Sequence, residues 1–194
     1  MKFDSLKDYF LKKLQIELPK ELFYHGAHHT EDVLNSIVRI GEGEEVSARE
    51  MTILKTAALF HDAGFLDQYS DNEEAATVYA RQTLPAFDYE EDDIDVICAI
   101  IMATRHDIKP RNLLEEIMCD ADHDYLGRKD YKRIAASLYK ELAEYGYVYN
   151  EREWINMQVS FLAIKHTYYT EWAKKNRQTT KERHIERLKE KLNF

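Results

Sequence analysis

Phe3, Leu6, Phe10 and Leu14 recur at helical spacing and stop before Pro19, which predicts a first helix. A short loop, Pro19 to His28, follows. A second stripe of Val33, Leu34, Ile37 and Ile40 predicts a helix from His29 to about Ile40, closed by Gly41 and Gly43. Ser47 with Glu50 forms a capping box that opens a helix through Ile53, Leu54, Ala57, Ala58 and Phe60 to His61. Gly64 then marks a sharp turn. A fourth helix runs from about Asn72 to Leu84 and ends at Pro85. The acidic run Asp88 to Asp95 suits a helix N-terminus. It leads into a fifth helix carrying Ile94, Ile97, Ile100, Ile101 and Thr104. Leu113 to Ala121, Tyr131 to Tyr145 and Glu151 to Lys174 predict three more helices. A basic amphipathic stretch, Lys181 to Leu192, closes the chain. Its Lys181, Arg183, Arg187, Lys189 and Lys191 interleave with Glu182, Glu186 and Glu190 at pairing distance, as on a solvated face. No segment alternates as a strand would, so the predicted fold class is all-α.

A chain of 194 residues suits a single domain, 1–194. Its 6 Gly and 3 Pro are few, as long helices require. The 27 basic and 36 acidic residues leave a formal charge of −9. That balance argues against general nucleic-acid binding, which needs a basic face. A small phosphorylated ligand in one local pocket is still allowed. Cys98 and Cys119 form no Cys-x-x-Cys pair and sit in apolar stretches, as buried thiols of a reducing cytoplasm do. The stretch Met1 to Asp8 carries charges where a signal peptide would need an apolar run, so none is expected. The longest apolar run, Val96 to Ala103, is far short of the roughly 20 residues a bilayer span needs. The expectation is a soluble cytoplasmic protein with no membrane contact, as a monomer or a homo-oligomer.

Candidate chemistry lies in His29, His61, Asp62 and Asp122. His29 opens the stripe of Val33, Ile37 and Ile40; His61 follows Ala57 by one turn; Asp122 follows Met118 by one turn. Helical periodicity turns these side chains toward the core. A buried carboxylate is costly unless paired or coordinated. Two imidazoles and two carboxylates converging there would bind a divalent metal. Taken singly, each residue has another reading: a hydrogen-bonded core histidine, or a cap in the case of Asp122.

Four segments occur in order: Tyr24-His25-Gly26-Ala27-His28-His29-Thr30-Glu31-Asp32-Val33, Leu59-Phe60-His61-Asp62-Ala63-Gly64-Phe65, Asn72-Glu73-Glu74-Ala75-Ala76, and the stretch from Asn112 through Cys119-Asp120-Ala121-Asp122 to Leu126-Gly127. Together they resemble the motifs of the HD-domain superfamily of metal-dependent phosphohydrolases. The resemblance covers about Tyr24 to Gly127. It implies an all-α HD core over 20–130, a C-terminal helical extension over 131–194, and hydrolysis of a phosphate mono- or diester, in most members that of a nucleotide. It implies His29, His61, Asp62 and Asp122 as ligands of a divalent ion: Mn, Fe, Ni, Co, Mg or Zn. Asn72 stands where many members have His, and Gly26 where many have Asn. Only His106 lies between the His61-Asp62 doublet and Asp122 as a further imidazole. One metal per chain is therefore expected rather than two.

Metal-assisted hydrolysis also needs a general base. Asp67 and Glu73 follow the doublet closely and are the candidates, beside Asp62 at the metal itself. Arg105, Lys109, Arg111 and Arg128 flank the fifth and sixth helices and could grip phosphate, or serve as ordinary surface charge. His25 and His28 could line the mouth. The rival expectation is a non-catalytic module of the same fold that binds a nucleotide or has a regulatory role.

Overall fold

The structure, a computed structural model, describes residues 1–192. Residues 193 and 194, the end of the predicted extension, lie outside the described residues. The described chain is all-α: α1 (Phe3–Glu17), α2 (Ala27–Gly43), α3 (Ala48–Phe60), α4 (Asn72–Thr83), α5 (Glu91–Met102), α6 (Leu113–Asp122), α7 (Tyr131–Glu144), α8 (Glu151–Ser160) and α9 (Glu171–Leu192). Short 3₁₀ turns at Ala63–Leu66, Leu84–Phe87 and Asp124–Gly127 link some of them. Among the described residues no helix is long and apolar enough to cross a membrane.

Two apolar clusters organise these helices. The first joins α1 to α6 through Leu6, Phe10, Ile37, Leu54, Phe60 and Ile97, all fully buried. Helix α3 lies at its centre, packed on α1, α2, α5 and α6. Its Phe60 ring sits 4.0 Å from that of Phe10. The second cluster joins α7, α8 and α9 through Tyr131, Ala135, Ile155, Leu162 and Leu188. Tyr24, Tyr125 and Leu126 belong to it as well, so it abuts the segments that open α2 and follow α6.

The capping box at Ser47 and Glu50 forms as the sequence predicts: Glu50 N–H donates to Ser47 Oγ, and Ser47 N–H to Glu50 Oε2. Two predicted boundaries move. Helix α2 starts at Ala27 and continues through Gly41 to Gly43. These glycines serve packing rather than termination. A Cβ on Gly43 would fall 2.0 Å from the Trp172 ring of α9. Gly64 is likewise a contact residue, not a turn at positive φ: its Cβ would lie 1.9 Å from the Asn72 carbonyl oxygen. The turn after His61 can press against the start of α4 only because that Cβ is missing.

The larger correction concerns the helix expected from Glu151 to Lys174. Helix α8 ends at Ser160, passes through one wide turn at Phe161–Lys165, and gives way to non-helical backbone before α9. The physical reason is a buried carboxylate on α6. Asp120 accepts hydrogen bonds from the amides of Tyr169 and Thr170, at 2.9 and 2.8 Å, and from the Thr170 hydroxyl at 2.8 Å. Thr170 Oγ1 in turn accepts from Ala173 N–H and opens α9. Tyr168 is buried beside it. Amides held by a side chain cannot join a helix ladder. The predicted solvated basic face is corrected at one position: Lys181 is buried, and its ammonium donates to the His166 carbonyl at 3.1 Å.

His166 is held neutral. Burial, then the neighbouring His123 and Lys181, push its imidazole down to about 2. In an unfolded chain it takes up a proton near pH 6.5. The unfolded state therefore binds the extra proton, and stability falls as pH drops below about 6.5. His166→Gln should make the acid limb between pH 6.5 and 4.5 shallower, by at most about 1.4 kcal/mol per pH unit. Urea denaturation across that range reads the slope; identical slopes in the two proteins would contradict a neutral His166.

Candidate metal centre

Helix ends supply the central residues. His29 is in the first turns of α2, His61 follows the last residue of α3, Asp62 follows His61, and Asp122 ends α6. The stripe that buries Val33 and Ile37 also buries His29, which is 5% exposed. His61 is 1% exposed. Its Nδ1 lies 2.8 Å from the Ala58 carbonyl, so Nδ1–H donates there and Nε2 is left facing the carboxylates of Asp62 and Asp122. The C-terminal ends of α3 and α6 also present the negative poles of their dipoles, which favour a cation.

The donor atoms converge. His29 Nε2 lies 3.1 Å from Asp122 Oδ1, 3.3 Å from His61 Nε2 and 3.5 Å from Asp62 Oδ2. His61 Nε2 lies 3.2 Å from Asp62 Oδ2 and 3.5 Å from Asp122 Oδ1. Ligand bonds of about 2.1 Å at octahedral or tetrahedral angles separate neighbouring donors by about 3.0–3.4 Å. The observed spacings are those of atoms arranged around a common point. His29, His61 and Asp122 each offer one ligand atom, all within 4.8 Å of one another, and could hold a metal ion. Asp62 joins through the imidazoles. Its Oδ2 is buried and accepts no hydrogen bond. A buried, unpaired carboxylate oxygen beside two imidazole nitrogens fits a cation.

Electrostatics agree with this reading. Burial raises the Asp122 carboxyl, but His123, His29 and His61 more than offset it and hold it well below the usual range. Asp62 is also held low by His61, His25 and His29 against its burial.

A cavity of about 520 Å³ opens beside these residues. Asp62 and Asp122 line it, with His25, Glu73, Arg105 and His123. Glu73 is half-buried at the start of α4. Burial pushes its carboxyl up, and Asp62 and Asp122 add to the effect. The structure does not bring Asp67 to this cavity: it accepts from the Tyr79 hydroxyl at 3.1 Å and is exposed. Arg105 lines the wall while donating to Asp107 at 3.0 Å and Glu74 at 2.9 Å. Lys109 and His28 are exposed and away from the lining. Arg111 is paired with Glu115 at 3.1 Å. Arg128 is also outside the cavity, held by Asp32 and Asp130 at 2.8 Å each and by Asp124 at 3.4 Å. It ties α2 to the chain between α6 and α7.

One residue escaped the motifs. Glu141 of α7 is fully buried. It accepts from the amides of Tyr24 and His25 at 2.7 and 3.0 Å, from the Tyr69 hydroxyl at 3.0 Å, and pairs with His25 Nδ1. Burial lowers the His25 imidazole, but Glu141 and the nearby Asp62 outweigh it and raise it overall. The signal was available in the sequence: Glu141 sits three residues after Leu138 on the apolar stripe of Tyr131, Ala135, Leu138 and Leu142.

The two carboxylates of the Asp-Ala-Asp run separate cleanly. Asp122→Asn should lose a stoichiometric divalent ion. Asp120→Asn should keep it while lowering stability by about 1–3 kcal/mol, because it disturbs bonds to buried amides. Elemental analysis and urea denaturation of the two variants test this; metal loss in Asp120→Asn alone would show the wrong aspartate assigned.

No family model matches the chain, and no curated protein matches it. Among solved structures, that of Bacillus subtilis YpgQ in complex with ADP is similar, with a TM-score of 0.63 at 20% identity over 98% of this chain and 97% of that one. At that identity the likeness is one of fold: this chain has the YpgQ architecture over nearly its whole length.

Proposed function

We propose that this chain is a metal-dependent phosphohydrolase of the HD type, acting on a phosphate mono- or diester of a nucleotide. The observation that carries the proposal is the convergence of His29, His61, Asp62 and Asp122, with Asp62 Oδ2 buried and without a hydrogen bond. Two supports are independent of it. The four ordered motifs resemble those of HD phosphohydrolases, and that resemblance implies the same residues as ligands. The solved structure of the similar YpgQ holds ADP, which favours a nucleotide as the phosphorylated partner.

His29, His61, Asp62 and Asp122 would hold one divalent ion, among Mn, Fe, Ni, Co, Mg and Zn. When bound, the ion supplies a Lewis acid toward the phosphoryl oxygens. The chain's own groups account for the proton movements. Glu73 lines the cavity as a carboxylate with a raised pKa, which suits a general base. It takes a proton from the attacking water as the new O–P bond forms. The P–O ester bond breaks, and the leaving oxygen takes a proton from His25. Against the effect of burial, Glu141 favours the protonated form of that imidazole, and it fixes its orientation. Arg105 lines the same cavity with its guanidinium bonded to Asp107 and Glu74, and it reaches a phosphate only by exchanging one of these partners.

A screen of nucleoside mono-, di- and triphosphates and cyclic nucleotides with added Mn²⁺ tests this reading. Turnover should exceed that of His61→Ala, which loses the ion. Glu73→Gln should retain about one metal per chain and lose a hundredfold or more in kcat. Asp67→Asn should stay within about twofold of the parent, because its carboxylate faces Tyr79 outside the cavity. Equal turnover by the parent and His61→Ala would overturn the proposal. Nucleotide binding without any hydrolysis would leave the chain a binding or regulatory module of the same fold.

A further inference from the structure

The cavity beside the metal centre has two chemically different sides. One is charged: Asp62, Asp122, Glu73, Arg105 and His123. The other comes from α7 and α8, and it is apolar and aromatic: Ala135, Leu138 and Leu142 of the first helix, Trp154 and Met157 of the second, and Phe161 just beyond. The motifs account for the charged side only. A pocket of about 520 Å³ is within the range of roughly 300–1,000 Å³ that takes a whole small ligand, so a phosphate alone would leave most of it unfilled.

The aromatic groups on this wall are fixed by their neighbours. Trp154 stacks at 5.8 Å on Tyr139, which is outside the lining. Tyr131 stacks at 4.5 Å on His184 of α9. Its hydroxyl donates to Gln158 Oε1 at 2.6 Å, and Gln158 Nε2 points to the Trp154 carbonyl at 3.5 Å. Gln158 is the one side-chain amide that α7 and α8 contribute to the lining, and they contribute no carboxylate. Reading the edge of a nucleobase needs a paired donor and acceptor, as an amide or carboxylate provides. Here that group is bonded to Tyr131.

We propose that the α7–α8 wall is a base-tolerant stacking site: it binds the planar base of a nucleotide by its face and does not discriminate among bases. This assignment rests on the phosphohydrolase reading for the position of the phosphate, and it gives the C-terminal helices a role in binding the substrate. Stacking on an aromatic side chain is worth about 1–3 kcal/mol whichever base is stacked, since each base has a π-face.

The test uses the full chain purified without chelator. ADP, GDP, CDP and UDP are titrated by stopped-flow tryptophan fluorescence, before turnover, and inorganic pyrophosphate competes against ADP as the base-free probe. The four Kd values should agree within about fivefold, and pyrophosphate should bind at least tenfold more weakly. Trp154→Leu, followed by calorimetry, should weaken all four nucleotides by about 5- to 150-fold and leave pyrophosphate unchanged. Leu142→Trp, which fills the wall from α7, should do the same and guards against a folding defect at Trp154. A preference above tenfold for one base, or pyrophosphate binding as tightly as ADP, would overturn the assignment. Base-tolerant binding without hydrolysis would support the stacking site and remove the catalytic reading; hydrolysis with pyrophosphate equal to ADP would do the reverse.

Discussion

The rest of the molecule depends on keeping two carboxylates charged inside it. Asp62 and Asp122 lie where burial alone would drive them to the neutral form, and the imidazoles of His29 and His61 counter that by charge and contact. This balance works only if the ends of α3 and α6 and the beginning of α2 meet at one point. Isolated buried charges cost several kcal/mol each after relaxation. A frame rigid enough to hold the helix ends together must offset that cost, and the fully buried stripe of Ile37, Leu54, Ala57, Ile97 and Ile117 is that frame.

Three other buried carboxylates attach the C-terminal third to the frame, each by several donors from remote positions. Asp120 takes the amides that begin α9. Asp124 accepts from Arg177 of α9 at 2.6 Å and from Arg39 and Ser36 of α2 at 3.1 and 3.2 Å. Glu141 of α7 holds Tyr24, His25 and Tyr69. Hydrogen bonds to ionised groups are stronger than neutral ones, and the loss of one leaves buried donors unsatisfied. The last of these attachments reaches His25, so α7 holds one residue of the cavity lining in place as well as supplying part of the wall.

Local rules explain which parts of this were legible in the sequence. The first six helices follow from stripes at helical spacing, and the capping box from Ser47 and Glu50, because both depend on neighbours three or four residues away. The burial of His29, His61 and Asp122 was legible for the same reason: a polar residue on an apolar stripe must be buried, and a buried His or Asp needs a partner. Glu141 obeys the same rule on α7, but its partners Tyr24 and His25 lie more than a hundred residues earlier in the chain. Periodicity names the buried residue without naming what it meets.

The sequence by itself determined the all-α class and most helix boundaries, since helix propensity, capping and amphipathic spacing act over one or two turns; the candidate ligands came from the resemblance of its four motifs. Tertiary structure decided the rest. It broke the helix expected through Lys174, because Asp120 captures amides about fifty residues away. It turned Gly43 and Gly64 from helix and turn signals into close contacts, with Trp172 and with the Asn72 backbone. It left Glu73 rather than Asp67 at the cavity and enclosed Arg128 among three carboxylates. Charges of the same type separate into a site and a scaffold only when packing sets which of them share one desolvated space.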